Sequence, residues 1–396
     1  MTEASGGRGP CHGFRVIEFA TMVSGPYCGQ MLADMGAEVI KLEPAEGDAL
    51  RAVRPEYKGL SALFAHTNRG KKSIGIEFKS ARGAELVRDL VRSADVVLEN
   101  FRPGVMDRLG FGYEALREIN PRIVYVSITG FGPDGPYANR PAYDQVIQSL
   151  TGFMWTQGQH KEPEAIRSPV VDRISAVTAA NAVLAALLYR ERRGEGQHVS
   201  VTLLDAYAAL ILPGLTNNQT FLDADLEHYT PRSLFQPVAT KDGHVMGYVQ
   251  TNPQFAACIK AFHREDLTTD PRFKDPRSRL TNVAELWQEL AKGAQDLTTR
   301  EIMDVAVAEG VPLAPVARVA EFLDDPQAIH NQTFVDFEDP VYGRIKQLNF
   351  PIRFERSPAN PHARAPRLGE HTDAVLEGLG LSRQSIADLR TAKTVW

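Results

Sequence analysis

Two aspartates and one glycine-rich turn are the features whose residue types suit chemistry. Asp172 stands where a long helical run to Arg193 begins, SAVTAANAVLAALLYRERR, and the partial positive charge of a helix start favours an ionised carboxylate there. That placement suits a poised nucleophile and equally a plain helix cap. Asp144, in Pro-Ala-Tyr-Asp-Gln-Val-Ile-Gln, opens a second predicted helix and admits the same two readings. From the residues alone the cap is the commoner outcome at both positions. Gly130-Phe131-Gly132-Pro133-Asp134-Gly135 matches G-x-G-x-x-G behind a predicted strand, but Pro133 and Pro136 occupy the turn and no helix opens on it. A dinucleotide site needs that helix N-terminus for the pyrophosphate, so a tight turn is expected instead. Walker A, G-x-S-x-G and H-E-x-x-H are missing and the ten histidines are dispersed, so nucleotide, serine-hydrolase and metal readings lack their parts.

The elements around these residues read as α/β. From Phe14 to about Asp205, short β-rich runs (RVIEFA, AEVIKLE, DVVLENF, RIVYVSI, QHVSVTLL) alternate with helical stretches (PYCGQMLADMG, VMDRLGFGYEALREI), the rhythm of βαβ units on a parallel sheet. The run from Asp172 ends in basic residues and stops at Gly194, a helix-terminating pattern. The expected organisation is a large domain over 1–210, a polar linker over 211–232, a smaller α+β domain over 233–322, a second linker over 323–340, and a C-terminal part over 341–396. Asp-Gly in VATKDGHVMGYV predicts a hairpin in the smaller domain, and the sequence does not say which side chains of that domain, those around Phe235 to Gln250 among them, face a second substrate.

Composition narrows the function classes. Lys and Arg number 44 against 49 Asp and Glu, a formal charge of −5, which lacks the basic field of a nucleic-acid binder. Three cysteines without CxxC spacing suggest neither a disulfide framework nor a thiolate zinc site, and a reducing cytoplasm is expected. No signal peptide or membrane span is expected: the first residues are polar, and no apolar run reaches about 18 residues.

The segments GFRVIEFATMVSGPYCGQMLADMGAEVIKLEP, NRGKKSIGIEFK, ENFRPGVMDRLGFGYEALREINPRIVYVSITGFG, AYDQVIQSLTG, VVDRISAVTAANAVLAALLYRERRGEGQHVSVTLLDA and LGEHTDAVLEGLGL resemble, in order, the class III coenzyme A transferases of the CaiB/BaiF family. That resemblance implies a Rossmann-like large domain holding both chain ends, a small domain, and an interlocked homodimer. It also implies transfer of coenzyme A (CoA) between an acyl-CoA and an organic acid, with no permanently bound cofactor. Asp172 falls on the family's nucleophilic aspartate. CoA contacts carry over to Val23 and Ser24, to Ile76, Glu77, Phe78 and Lys79 near the adenine, and to Asn100, Phe101, Arg102, Arg108, Arg140 and Tyr143. Guanidinium groups at Arg102 and Arg108 suit phosphates.

Val23, Pro44 and Pro141 depart from the formyl-CoA transferase pattern, and its GGGGQ loop is missing, which turns the expectation away from oxalate and formate. Within the same family the α-methylacyl-CoA racemases carry G-H-D-I-N-Y where this chain has Ala142-Tyr143-Asp144-Gln145-Val146. A phenol, ordinarily titrating near about pH 10, is a poor substitute for the histidine base. Racemase is therefore the alternative, and a catalytically idle CoA-binding homologue is a third reading.

Overall fold

The computed structural model describes residues 9–158, 161–223 and 236–396; residues 224–232 of the expected linker, and Phe235, lie outside them. Two compact units divide the chain: Met1–Gly214 with His330–Trp396, and Leu215–Ile329.

The first unit is built on six parallel strands, β1 (Arg15–Glu18), β2 (Glu38–Glu43), β3 (Lys72–Gly75), β4 (Val96–Glu99), β5 (Val124–Thr129) and β6 (Gln197–Thr202), in the order β3-β2-β1-β4-β5-β6. This is the doubly wound order of a Rossmann-like sheet, and its direction reverses between β1 and β4. Short, mostly apolar runs form the central strands because both faces are covered. Val16, Val96 and Val124 join one core with α1 (Ser24–Asp34) and α4 (Val170–Arg193), while Ile17, Val97 and Tyr125 join another with α2 (Ala81–Arg92). By length and composition α4 is apolar enough to cross a membrane. Here Ala176, Ala179, Ala180 and Val183 are buried in the α1 core, and Gly194, at φ +86°, ends the helix.

Two helical expectations change. VMDRLGFGYEALREI forms not one stretch but two short helices, Val105–Arg108 and Tyr113–Ile119, because Gly110 turns to φ +77° between them. The long helix begins at Val170, two residues before Asp172, which therefore lies inside the first turn and is not the cap. The chain's end returns to β3: the Trp396 N–H donates to the Gly75 carbonyl at 3.2 Å, and Ile76 bridges Val395.

The second unit carries an antiparallel sheet of β7 (Val238–Ala239), β8 (His244–Gly247) and β9 (Leu313–Pro315), with β7 and β8 forming the expected hairpin. Its apolar core includes Phe262, Phe273, Trp287 and Leu290.

Candidate active site

A cavity of about 370 Å³ is lined by residues that follow the carboxyl ends of β1, β4 and β6 and by the end of β5. Open α/β sheets place ligands in this position, at the switch point of strand order. The turn after β1 contributes Thr21, Met22 and Ser24; residues 100–103 follow β4; Arg140 and Tyr143 come from the loop ahead of α3 (Asp144–Leu150). Asp172 faces the same space from the first turn of α4.

Asp144 decides what Asp172 is free to do. Its Oδ2 accepts the main-chain N–H groups of Val171 at 2.7 Å and Asp172 at 3.1 Å, and its Oδ1 accepts Gln148 Nε2 at 2.6 Å. The capping role therefore belongs to a carboxylate from another helix, and the side chain of Asp172 is left for the cavity. Gln148 holds the approach to α4 by accepting the Ile166 N–H at 2.9 Å and donating to the Ile166 carbonyl at 3.2 Å. The residue pattern had assigned Asp144 to the start of its own helix; the partner pair Asp144 and Gln148, four apart on one helix face, was the legible signal.

Burial raises the Asp172 carboxyl to about 6, the nearby Asp144 charge adds to the rise, and a hydrogen bond from Ser24 opposes it. Such a group is mostly ionised at neutral pH yet more basic than an ordinary aspartate, the combination a carboxylate nucleophile needs.

Of the residues singled out from the sequence, Ser24, Asn100, Phe101, Arg102, Arg140, Tyr143 and Asp172 meet around this one cavity. Asn100 ties the two strand exits together: its Oδ1 accepts the Thr21 N–H at 2.9 Å and its Nδ2 donates to the Thr21 carbonyl at 2.7 Å. Val23 lines a different cavity of about 540 Å³, walled by α1, α4 and residues 348–352. Ile76 and Phe78 are buried in the α2 core, so their side chains are packing groups, and only Glu77 and Lys79 of that stretch reach solvent. Neither they nor the exposed Arg108 line the Asp172 cavity.

The family described as CoA-transferase family III matches residues 11–372. A succinate–glutarate CoA-transferase from Agrobacterium fabrum is 35% identical, the match covering 96% of this chain and 98% of that protein. A formyl-CoA:oxalate CoA-transferase from Escherichia coli is 33% identical over 96% and 98% of the two chains. A crystal structure of a CaiB/BaiF family protein from Brucella suis superposes with a TM-score of 0.83 at 33% identity, covering 94% of this chain and all (100%) of that one.

Proposed function

Because the chain belongs to CoA-transferase family III, we propose that it moves CoA from an acyl-CoA donor to a carboxylic acid acceptor with Asp172 as the nucleophile. One observation carries this reading: Asp144 caps α4, leaving the raised carboxylate of Asp172 on the cavity wall. An Asp172 oxygen attacks the thioester carbonyl, the C–S bond breaks, and a mixed anhydride forms with release of CoA thiolate. The thiolate then attacks the Asp172 carbonyl carbon, giving an aspartyl-CoA thioester and the donor acid. The acceptor carboxylate repeats the sequence in reverse and leaves as its CoA thioester. Activation is retained at each step provided water is kept from the anhydride.

Arg102 and Arg140 line the cavity, with the Arg140 guanidinium lying 3.8 Å from the Tyr137 ring centroid, and both suit an anionic substrate. Arg108 is exposed and suits the more distant phosphates of CoA, and exposed Lys79 suits the neighbourhood of the adenine. CoA is thus a substrate, not a resident cofactor, in a cytoplasmic enzyme. Tyr143, 67% exposed, stands where a racemase would need its histidine base, which favours transfer over α-proton exchange. An interlocked homodimer is supported by the apolar stripe left on α4, where Val177 and Leu188 are 54% and 53% exposed.

The test is mass spectrometry of the protein incubated with a panel of acyl-CoA thioesters and quenched with hydroxylamine or borohydride, beside Asp172→Asn. A mass change confined to Asp172 and lost in the variant is the expected result. No adduct, together with α-proton exchange into deuterium oxide, would overturn transfer in favour of racemisation.

A further inference from the structure

The turn joining β1 to α1 is held by side chains from outside it. Lys41 Nζ donates to the Ala20 carbonyl at 2.6 Å, Asn100 takes both main-chain groups of Thr21, and Asp48 Oδ1 accepts the Met22 N–H at 3.1 Å. Four polar groups in a row are thus satisfied by residues of three distant segments. Met22 sits at φ +64°, a left-handed conformation costly for a non-glycine residue, which persists only where the surroundings impose it.

Those surroundings are ionic and dry. Lys41 Nζ lies 3.0 Å from Asp48 Oδ2 and 3.1 Å from Glu18 Oε1, with all three side chains fully buried. Lys71 Nζ, 2.8 Å from Glu18 Oε2, also donates to the Pro26 carbonyl at 2.7 Å in the first turn of α1. Buried ion pairs are poor sources of net stability, so their retention here calls for a positional reason. Val23 alone separates Met22 from Ser24, which lines the cavity with Asp172 and opposes the rise of its carboxyl.

We infer that Lys41 and Asp48, neither of which lines the cavity, are positioning residues that lock the Ala20–Met22 turn so that Ser24 is delivered to Asp172. The groups facing Asp172 are then Ser24 from α1, Asp144 from α3, and, across the cavity, Arg102, Arg140 and Tyr143. The clamp tunes the basicity of the carboxylate from a distance. This deepens the transferase reading and rests on it for its catalytic meaning, but its test needs no turnover.

The measurement is the pH dependence of carbodiimide and glycinamide labelling at Asp172 in the full-length protein, read by peptide mass spectrometry. Only the protonated carboxyl reacts, so the midpoint reports its titration. In Asp48→Ala the freed turn withdraws Ser24, and the midpoint rises by roughly half a pH unit because a hydrogen bond to the charged form is lost. Removing a nearby negative charge alone would lower the midpoint, so the sign separates the two causes. Asp48→Asn, which keeps an acceptor for the Met22 N–H, does not show the rise. Ser24→Ala reproduces it, and the Ser24→Ala/Asp48→Ala double variant adds nothing further. Asp48→Leu, which has no acceptor, carries the same expectation as the alanine variant should the latter fail to fold. An unmoved or lowered midpoint in folded Asp48→Ala or Asp48→Leu, or additive shifts in the double variant, would overturn the inference while leaving the acyl-adduct experiment as the separate judge of Asp172.

Discussion

The two units of this protein treat charge in opposite ways. Around the turn after β1, the first unit buries Glu18, Lys41, Asp48 and Lys71 completely, and Arg69 pairs with Asp34 at 2.7 Å behind the same helix. The second unit keeps its ion pairs largely at the surface, as in Lys260–Glu309 and Arg272–Asp270, around an apolar core. Its buried cation, Arg279, is held by the Phe273 carbonyl at 3.0 Å and Asn252 Oδ1 at 2.6 Å. Surface pairs are screened and contribute little, whereas buried pairs fix geometry at a cost in desolvation. The contrast teaches that buried charge collects where the backbone of a cavity-lining turn is held, beside Asp172.

Breaking the buried cluster should have the largest effect. Lys41→Met leaves Glu18 and Asp48 in the interior with one counter-charge fewer, and about 3–5 kcal/mol should be lost from the first unit in urea denaturation. Next comes Asp172→Asn. A carboxyl raised to about 6 in the fold from an unperturbed 3.8 binds protons more tightly folded than unfolded, so its contribution to stability falls as pH rises from about 4 to about 6. The amide variant should lack that fall and be more stable than wild type at pH 8 by on the order of 2 kcal/mol, while losing all transfer. Asp144→Ala removes the acceptor for two N–H groups at the head of α4 and should cost about 1–2 kcal/mol. It should also lower the labelling midpoint of Asp172, because the like charge that raises it is gone. At the small end, Lys260→Ala in the second unit should leave the denaturation midpoint where it was, since the pair it breaks is exposed. A large loss there would break the comparison.

Much of this was legible before any coordinates. Apolar runs such as Val96–Glu99 and Val124–Thr129 are short, continuous and bounded by turns, which marks buried parallel strands. The alanine-rich run closed by Gly194 marks α4, and the ordered family segments identify the kind of enzyme and single out Asp172. Strand and helix patterns are local, so residues within a few positions of one another suffice to reveal them.

Which carboxylate caps α4 is not local: the group that does so comes from Asp144, 28 residues earlier. Equally, nothing in RVIEFA or AEVIKLE says that Glu18 will lie beside Lys41; parallel pairing in that register brings them together. The alternation of Ile76-Glu77-Phe78-Lys79 cannot tell a ligand wall from a core, and the return of the C-terminus to β3 puts Ile76 inside. The sequence by itself therefore determined the strands, the long helix and the family. Only the tertiary structure decided which charges are buried, which aspartate caps and which is left free, because those depend on contacts between segments that no short-range pattern encodes.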